Sequence, residues 1–363
     1  MTFRHGLVIG KFYPPHAGHH FLVRAAADAC ERLTVVVMAA DVETIPLAER
    51  VAWLRSAHPG ATVAGVVDNL PVDYEDEEIW AGHVALMRSA LTAGDGPVEA
   101  VFSSEPYGVE LARRFGAAPV VLDVGRETFA VSGTAVRADP VAHWGELEPP
   151  VRGWLARRVV VLGAESTGTT TLSRDLAAAL RARGGPHART GWVAEYGREL
   201  TVAKLAVARA VAAAGGPVPT VFDLEWTDAD FELVCRRQTE AEDRAARDGG
   251  PVLVCDTDAL ATTVWQERYV GAVTDPVRAL AGGLPPRALY LLTSDEGVPF
   301  DDDGLRDGEH LRGWMTGRFR EVLGAGAVPW RELTGTRTER LAAALAAVDE
   351  ILATGWNLAD PLG

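Results

Sequence analysis

The residues best suited to chemistry gather in a few short stretches, and the first runs over residues 10–20, GKFYPPHAGHH, with one lysine and three histidines. It follows the apolar run Leu7-Val8-Ile9 and precedes a helical pattern over 21–32, so it reads as a strand, a Gly/Pro turn and a helix start. Unpaired amides and the helix dipole at such a start favour an anion, and a polyphosphate meets that need. Gly10 and Phe12 belong to the turn, while His16 and His19 lie three positions apart on one side of the helix start. Gly18 between them admits a phosphate close to the backbone. Zinc or a solvated histidine cluster is the alternative, although zinc needs further ligands and no other His or Cys lies nearby at suitable spacing. Lys11 and Lys204 are the only lysines in a chain rich in arginine, a hint that position 11 needs an ammonium.

A second stretch, VSGTAVR over 131–137, follows a strand pattern that ends near Val124. Ser132 and Thr134 at a helix start cap it and donate to phosphate oxygens, and Arg137 follows about one turn later. The third, GAESTGTT over 163–170, also links a strand to a helix and reads as a P-loop, with Gly163, Ser166, Gly168, Thr169 and Thr170 as its nucleotide contacts. Its pattern demands lysine where Thr169 stands. Backbone amides and the Thr170 hydroxyl still cradle a phosphate and a Mg²⁺ ion, but the charge that follows the transferring phosphoryl group is missing. Losing one charge-assisted contact costs ~1.5–3 kcal/mol in binding, and losing a transition-state donor lowers rate by ~10²–10³. The second half is therefore expected to bind nucleotide and to phosphorylate weakly or not at all, unless an arginine takes the lysine's place.

Positioning these stretches requires two βα series. Residues 7–9, 33–39, 61–67, 98–103 and 119–124 read as strands, with helices near 20–32, 46–57, 76–93 and 108–116. Such alternation implies a parallel sheet with helices on both faces and ligands at the strand carboxyl ends, near the switch point of the strand order. A seam at 147–158, where Pro149-Pro150 interrupt, divides an expected domain over 1–150 from one over 151–363. The second series has strands at 158–163, 190–194, 251–256, 287–292 and 326–330 and helices near 170–182, 228–247, 258–270, 307–323 and 337–353. The Ala-rich piece over 202–219 reads as a helix plus a mobile loop without chemistry.

Composition sets limits. The chain of 363 residues, with 48% hydrophobic and 23% charged residues, has the make-up of a soluble globular protein of two domains. No run is long enough to span a membrane and no signal peptide fits before the first strand, which predicts a cytoplasmic address. A net charge of −15 argues against nucleic-acid binding. Cys30, Cys235 and Cys255 lack CxxC spacing and read as buried thiols.

Taken as a pair, GKFYPPHAGH and VSGTAVR resemble the nucleotidyltransferase superfamily of adenylyltransferases, whose HxGH and SxTxxR motifs match residues 16–19 and 132–137. The resemblance implies a Rossmann-like α/β domain that joins a phosphate-bearing acceptor to the α-phosphate of ATP and releases pyrophosphate. It implies that His16 and His19 touch ATP phosphates, that Lys11, Thr134 and Arg137 hold the departing ones, and that Mg²⁺ bridges them. SSEPYG over 103–108 and the junction HWGELEPPVRGWLARRVVVLGAESTG narrow the resemblance to bifunctional NadR-type proteins, which combine nicotinamide mononucleotide adenylyltransferase with ribosylnicotinamide kinase. Glu105 is then expected near the adenosine half of ATP, and Trp80 and Trp144 are candidates to stack on nicotinamide.

In the second domain, VLVCDTD over 252–258 ends a strand in carboxylates, and Asp256 suits Mg²⁺ or the acceptance of a hydroxyl proton. The resemblance places the EYGR over 195–198 at the riboside and makes DDDGLRD over 301–307, with Arg306 and Arg312, a lid of arginines over phosphates. Related enzymes often assemble, so a homo-oligomer is compatible with the sequence. No helix-turn-helix precedes the first strand, and DNA binding is not expected. Transfer to a different phosphate acceptor, and a role sensing ATP or NAD without turnover, stay open at this stage.

Overall fold

A computed structural model describes residues 2–362 apart from Tyr74, Ala93, Asp95, Arg126 and residues 213–216. The middle of the expected mobile loop therefore lies outside the described residues. The chain divides into two compact units, residues 1–151 with 356–363, and residues 152–355.

The first unit alternates β1 (Phe3–Gly10), α1 (Ala17–Asp28), β2 (Cys30–Ala39), α2 (Leu47–Ala57), β3 (Thr62–Val67), α3 (Glu77–Ser89), β4 (Ala100–Ser103), α4 (Tyr107–Phe115), β5 (Ala118–Val121) and α5 (Gly133–Ala138). Among the described residues its strands form one five-stranded sheet ordered β3-β2-β1-β4-β5, every pair parallel. Period-two alternation explains the two covered faces. Val8, Val35 and Val37 point to one side and pack under Leu22, Val23 and Ala26 of α1 and Leu54 of α2. Leu7, Ile9, Val36 and Met38 point to the other, against Trp80, Val84 and Met87 of α3 and Leu111 and Ala112 of α4. The order reverses between β1 and β4, so the switch point lies where β1 ends in Gly10.

A helix α6 (Pro149–Leu155) leads into the second unit, which contains β6 (Arg157–Gly163), α7 (Thr169–Arg181), β7 (Gly191–Val193), α8 (Tyr196–Ala212), α9 (Asp228–Asp248), β8 (Val252–Asp256), α10 (Ala259–Val270), α11 (Asp275–Gly282), β9 (Arg287–Thr293), α12 (Arg312–Ala325), β10 (Trp330–Leu333) and α13 (Arg337–Ala353). Its sheet, again parallel throughout, is ordered β10-β9-β6-β8-β7. Leu172, Leu176 and Leu180, four apart on α7, bury one stripe against Val159, Val161, Leu289 and Leu291. Each such side chain contributes ~1.5–3 kcal/mol of hydrophobic stabilisation.

Several segments differ from the sequence expectation, among them α11, which no pattern announced, and α8, which starts at Tyr196. The last strand begins at Trp330, not 326, because Gly326 and Pro329 suit a connection better than a sheet interior. Helix α12 begins at Arg312, since residues 301–308 carry four aspartates and a glycine with φ +76° at Gly304 and form a loop.

Candidate functional site

The first cleft is built on the turn after β1. Phe12 holds a left-handed backbone with φ +47° although it is not glycine, and its ring is buried against His19 with 4.9 Å between centroids. Such a conformation costs ~1–3 kcal/mol and persists only where packing enforces it. His16 and His19 stack at 3.8 Å between ring centroids. The third histidine does something else: His20 is buried, its Nδ1 is 2.9 Å from Nε2 of His58, and burial with that neighbour pushes its pKa down to about 3. It is a neutral core imidazole.

Helix α5 supplies the opposite wall. Ser132 caps it, accepting from Ala135 N at 3.1 Å. Arg137 donates through Nη1 to the carbonyl oxygen of Tyr13 at 2.9 Å and through Nη2 to Thr134 Oγ1 at 3.2 Å. A Cβ on Gly133 would stand 3.1 Å from that same Tyr13 carbonyl, so glycine lets α5 approach the turn. Gly10, Lys11, Phe12, His19, Glu105, Ser132, Thr134 and Arg137 thereby line one cleft, and His16 and Gly18 line an adjoining hollow that shares His19, Glu105 and Ser132.

Lysine 11 is fixed by charges the sequence did not announce. Its ammonium lies 3.9 Å from the buried carboxylate of Glu43, which Arg50 pairs at 2.7 Å, and it donates to the carbonyl oxygen of Leu362. Burial lowers the Lys11 pKa and Glu43 raises it. Pro361 lines the same cleft, and Ala359 N donates to Thr44 Oγ1 at 2.9 Å, so residues near 360 are part of this unit's site. Sequence reasoning also missed Asp68 and His83, paired at 2.5 Å on the cleft wall. Asp68 follows the end of β3, and a carboxylate just past an apolar strand was the available signal. Trp80 lines the cleft beneath the Arg114 guanidinium, at 4.7 Å. Trp144 does not line it: this residue is 1% exposed in the core, where its large apolar ring belongs.

The second cleft opens above β6. A Cβ on Gly163 would stand 2.2 Å from Thr293 Oγ1, and Ser166 and Gly168 hold positive φ values of 60° and 88°, which curl the loop into the first turn of α7. Gly163, Ser166, Thr169, Thr170, Asp256 and Arg306 line this cleft. Gly168 and Arg312 do not. Gly168 turns the chain, and Arg312 donates to the backbone oxygen of Val298 at 2.9 Å, behind the loop.

Three carboxylates line this cleft, Glu165, Glu195 and Asp256, and Glu165 is already paired with Arg268 at 3.1 Å. Burial pushes Asp256 up to about 6 against a hydrogen bond from Thr170 and the charges of Arg174 and Arg198. Burial and then Asp256 push Glu195 up to about 8. Asp258, the other carboxylate of that strand end, is committed elsewhere: it caps α10 and accepts from Arg287 at 3.0 Å and Tyr290 at 2.9 Å. Trp226, Phe231, Trp265 and Tyr269 make an aromatic wall that no motif signalled.

Among the described residues no group of three His, Cys, Asp or Glu side chains is gathered to hold a metal ion. Among them, too, no helix is long and apolar enough to cross a membrane.

A parallel sheet with a phosphate-type turn at its switch point, and a second sheet opening into a P-loop, define a two-unit nucleotide-binding α/β protein. Residues 158–340, just over half of the chain, match the family model described as AAA domain, and the chain belongs to that family. It is also similar to the trifunctional NAD biosynthesis/regulator protein NadR of Escherichia coli (strain K12), at 24% identity over 325 residues that cover 83% of this chain and 71% of the relative. The nicotinamide-nucleotide adenylyltransferase of Methanocorpusculum labreanum is 28% identical over 139 residues, 37% of this chain and 77% of that protein. Among solved structures, NadR in complex with NAD and AMP-PNP superimposes with a TM-score of 0.67 at 20% identity, covering 99% of this chain and 98% of that one, which shows a shared fold.

Proposed function

We propose that the first unit transfers the adenylyl group of ATP to nicotinamide mononucleotide, giving NAD and pyrophosphate, and that the second unit binds ATP and ribosylnicotinamide. The observation that carries the first reading is the convergence of Lys11, His19, Thr134 and Arg137 on one cleft at the switch point. A phosphate oxygen of the mononucleotide attacks the α-phosphorus, the bond to the bridging oxygen breaks, and pyrophosphate departs with its electrons. No group on the protein needs to become covalently attached. Positioning and charge neutralisation by an ammonium, a guanidinium and imidazoles supply the acceleration. The names of the relatives agree with this chemistry.

In the second unit the aromatic wall offers π faces to a cationic base, and Glu195 and Asp256 stand where a riboside hydroxyl would release its proton. Bound Mg²⁺ supplies charge neutralisation on the phosphates, and Thr170 and Asp256 would hold it. Hydroxyl and carboxylate are the hard oxygen donors this ion takes together with phosphate oxygens, and Thr170 and Asp256 line the same cleft. Thr169 in place of lysine makes phosphoryl transfer here slower than in a lysine-bearing P-loop.

Purified protein incubated with ATP and nicotinamide mononucleotide tests the first reading. Pyrophosphate and NAD should form together, and His19→Ala should lower the rate by ~10² or more. Pyrophosphate release with some other acceptor, and none with this one, would overturn it.

A further inference from the structure

We propose that His83 is a positioning residue for the acceptor: as an imidazolium it ties both ends of the segment over residues 68–71 to α3, and so sets the wall against which the mononucleotide lies. The inference rests on the adenylyl transfer proposed for the first unit.

His83 stands on α3, and its two ring nitrogens reach two different oxygens. Nδ1 lies 2.5 Å from Asp68 Oδ2, and Nε2 lies 3.0 Å from the carbonyl oxygen of Pro71. Neither partner donates, since an ionised carboxylate and a carbonyl only accept. A neutral imidazole carries one N–H and satisfies one of the two. The imidazolium carries two N–H groups and satisfies both, with the Asp68 carboxylate offsetting its charge.

The rest of the segment is tied to its surroundings in other ways. Asp68 N donates to the carbonyl oxygen of Ala39 at 2.8 Å, and Asp68 Oδ1 accepts from Leu70 N at 3.0 Å. Asn69 exchanges two bonds with Asp41, at 2.9 and 2.7 Å. These contacts hold the segment to the end of β2, whereas His83 holds it to the helix. Along α3 the positions three and four away from His83 are Ile79, Trp80, Leu86 and Met87, all apolar. From α4, Arg114 is taken up by Glu77 at 3.0 Å and by the Trp80 ring. From the turn after β1 comes Lys11, whose pKa burial lowers and Asp68 helps to raise, and Asp73 lines the same cleft.

The cleft lining carries two chemistries. Lys11 and Arg137 suit a triphosphate, while Val72, Asp73 and Trp80 offer apolar surface, a carboxylate and a π face. Nicotinamide mononucleotide brings a pyridinium ring, a planar cation that such groups receive. Val72 and Asp73 follow Pro71 directly, and Trp80 lies one helical turn before His83. The bond from His83 to Pro71 therefore sets the gap between the segment and the indole.

The test uses the full chain and measures KM for nicotinamide mononucleotide at saturating ATP, and KM for ATP, at pH ~7 and ~9, where a phosphate with its second pKa at ~6 is ionised. His83→Ala should raise the mononucleotide KM by ~10-fold or more, and the ATP KM by less than ~3-fold. In the parent the mononucleotide KM should rise by ~3-fold or more from the lower to the higher pH, because the imidazolium gives up a proton and one of its two bonds is lost. Asp68→Asn should abolish that rise. Its amide nitrogen donates to Nδ1 of a neutral imidazole whose Nε2–H still reaches Pro71, so both ties survive without a charge. Equal changes in the two KM values of His83→Ala would overturn the inference. So would a parent without the pH dependence, or one whose pH dependence Asp68→Asn shares. A parent that forms no NAD from ATP and the mononucleotide would remove the adenylyl reading itself, and the inference with it.

Discussion

Arg137 donates to the carbonyl oxygen of Tyr13 at 2.9 Å across 124 residues of chain. That bond joins the two motifs into one cleft, since it fixes the start of α5 against the turn after β1. The same guanidinium lies 5.1 Å from the Tyr13 ring centroid and Arg50 lies 4.8 Å from it, so Tyr13 is gripped by two cations and a backbone bond.

Arg137→Ala should therefore lower pyrophosphate release from ATP and nicotinamide mononucleotide by ~10² or more. Arg137→Lys should recover only a small part. Lysine restores the charge but cannot reach Tyr13 and Thr134 at once with a planar fork. Steady-state kinetics of the two variants checks this, and full recovery with lysine would contradict it.

Lys11→Ala removes the one ammonium of the first cleft and should raise the KM for ATP by ~10-fold or more, the equivalent of one charge-assisted contact. The KM for the mononucleotide should change less. Initial rates at varied ATP are the measurement.

Gly163→Ala brings a Cβ to 2.2 Å from Thr293 Oγ1 and 2.9 Å from the Thr293 backbone oxygen. The backbone partner cannot rotate away, so the second unit should lose ~1–3 kcal/mol of stability. Calorimetry should show one midpoint lowered, and pyrophosphate release by the first unit should be unchanged.

The Glu195 carboxyl, raised from 4.5 to about 8, makes stability pH-dependent. A group whose folded pKa is raised contributes stability that is present below its unfolded pKa and is lost as pH rises through the folded one. Its contribution is thus complete below about 4.5 and gone above about 8. Glu195→Gln should come nearest the parent at pH ~4 and exceed it at pH ~9 by ~2–4 °C in midpoint for each kcal/mol recovered. Equal midpoints at the higher pH would show that the carboxyl is not held in a desolvated site.

What the sequence disclosed follows its range of action. The strand, turn and helix around residues 10–20 depend on neighbours along the chain, and apolar period and Gly/Pro punctuation locate β1 and α1 to within a few residues. The βα alternation implies a parallel sheet covered on both faces, whereas the order β3-β2-β1-β4-β5 is set by tertiary packing. The pairing of Asp68 with His83 and the gathering of four aromatic residues beside the P-loop are not read from spacing, since only tertiary folding brings these side chains together. Helix α11 was missed because its eight residues, opening with Asp275-Pro276, resemble a turn. His20, given no role by the sequence, packs against His58 and belongs to the core.

The return of residues 356–362 to the first unit bears on how the molecule is made. A ribosome delivers β1 to α5 early, yet the carbonyl that meets Lys11 and the proline that walls the cleft emerge only after every strand of the second unit has been translated. The first cleft in the order of synthesis thus takes one wall from residues that follow the whole second unit, and chains that stop before them carry that cleft with one side open.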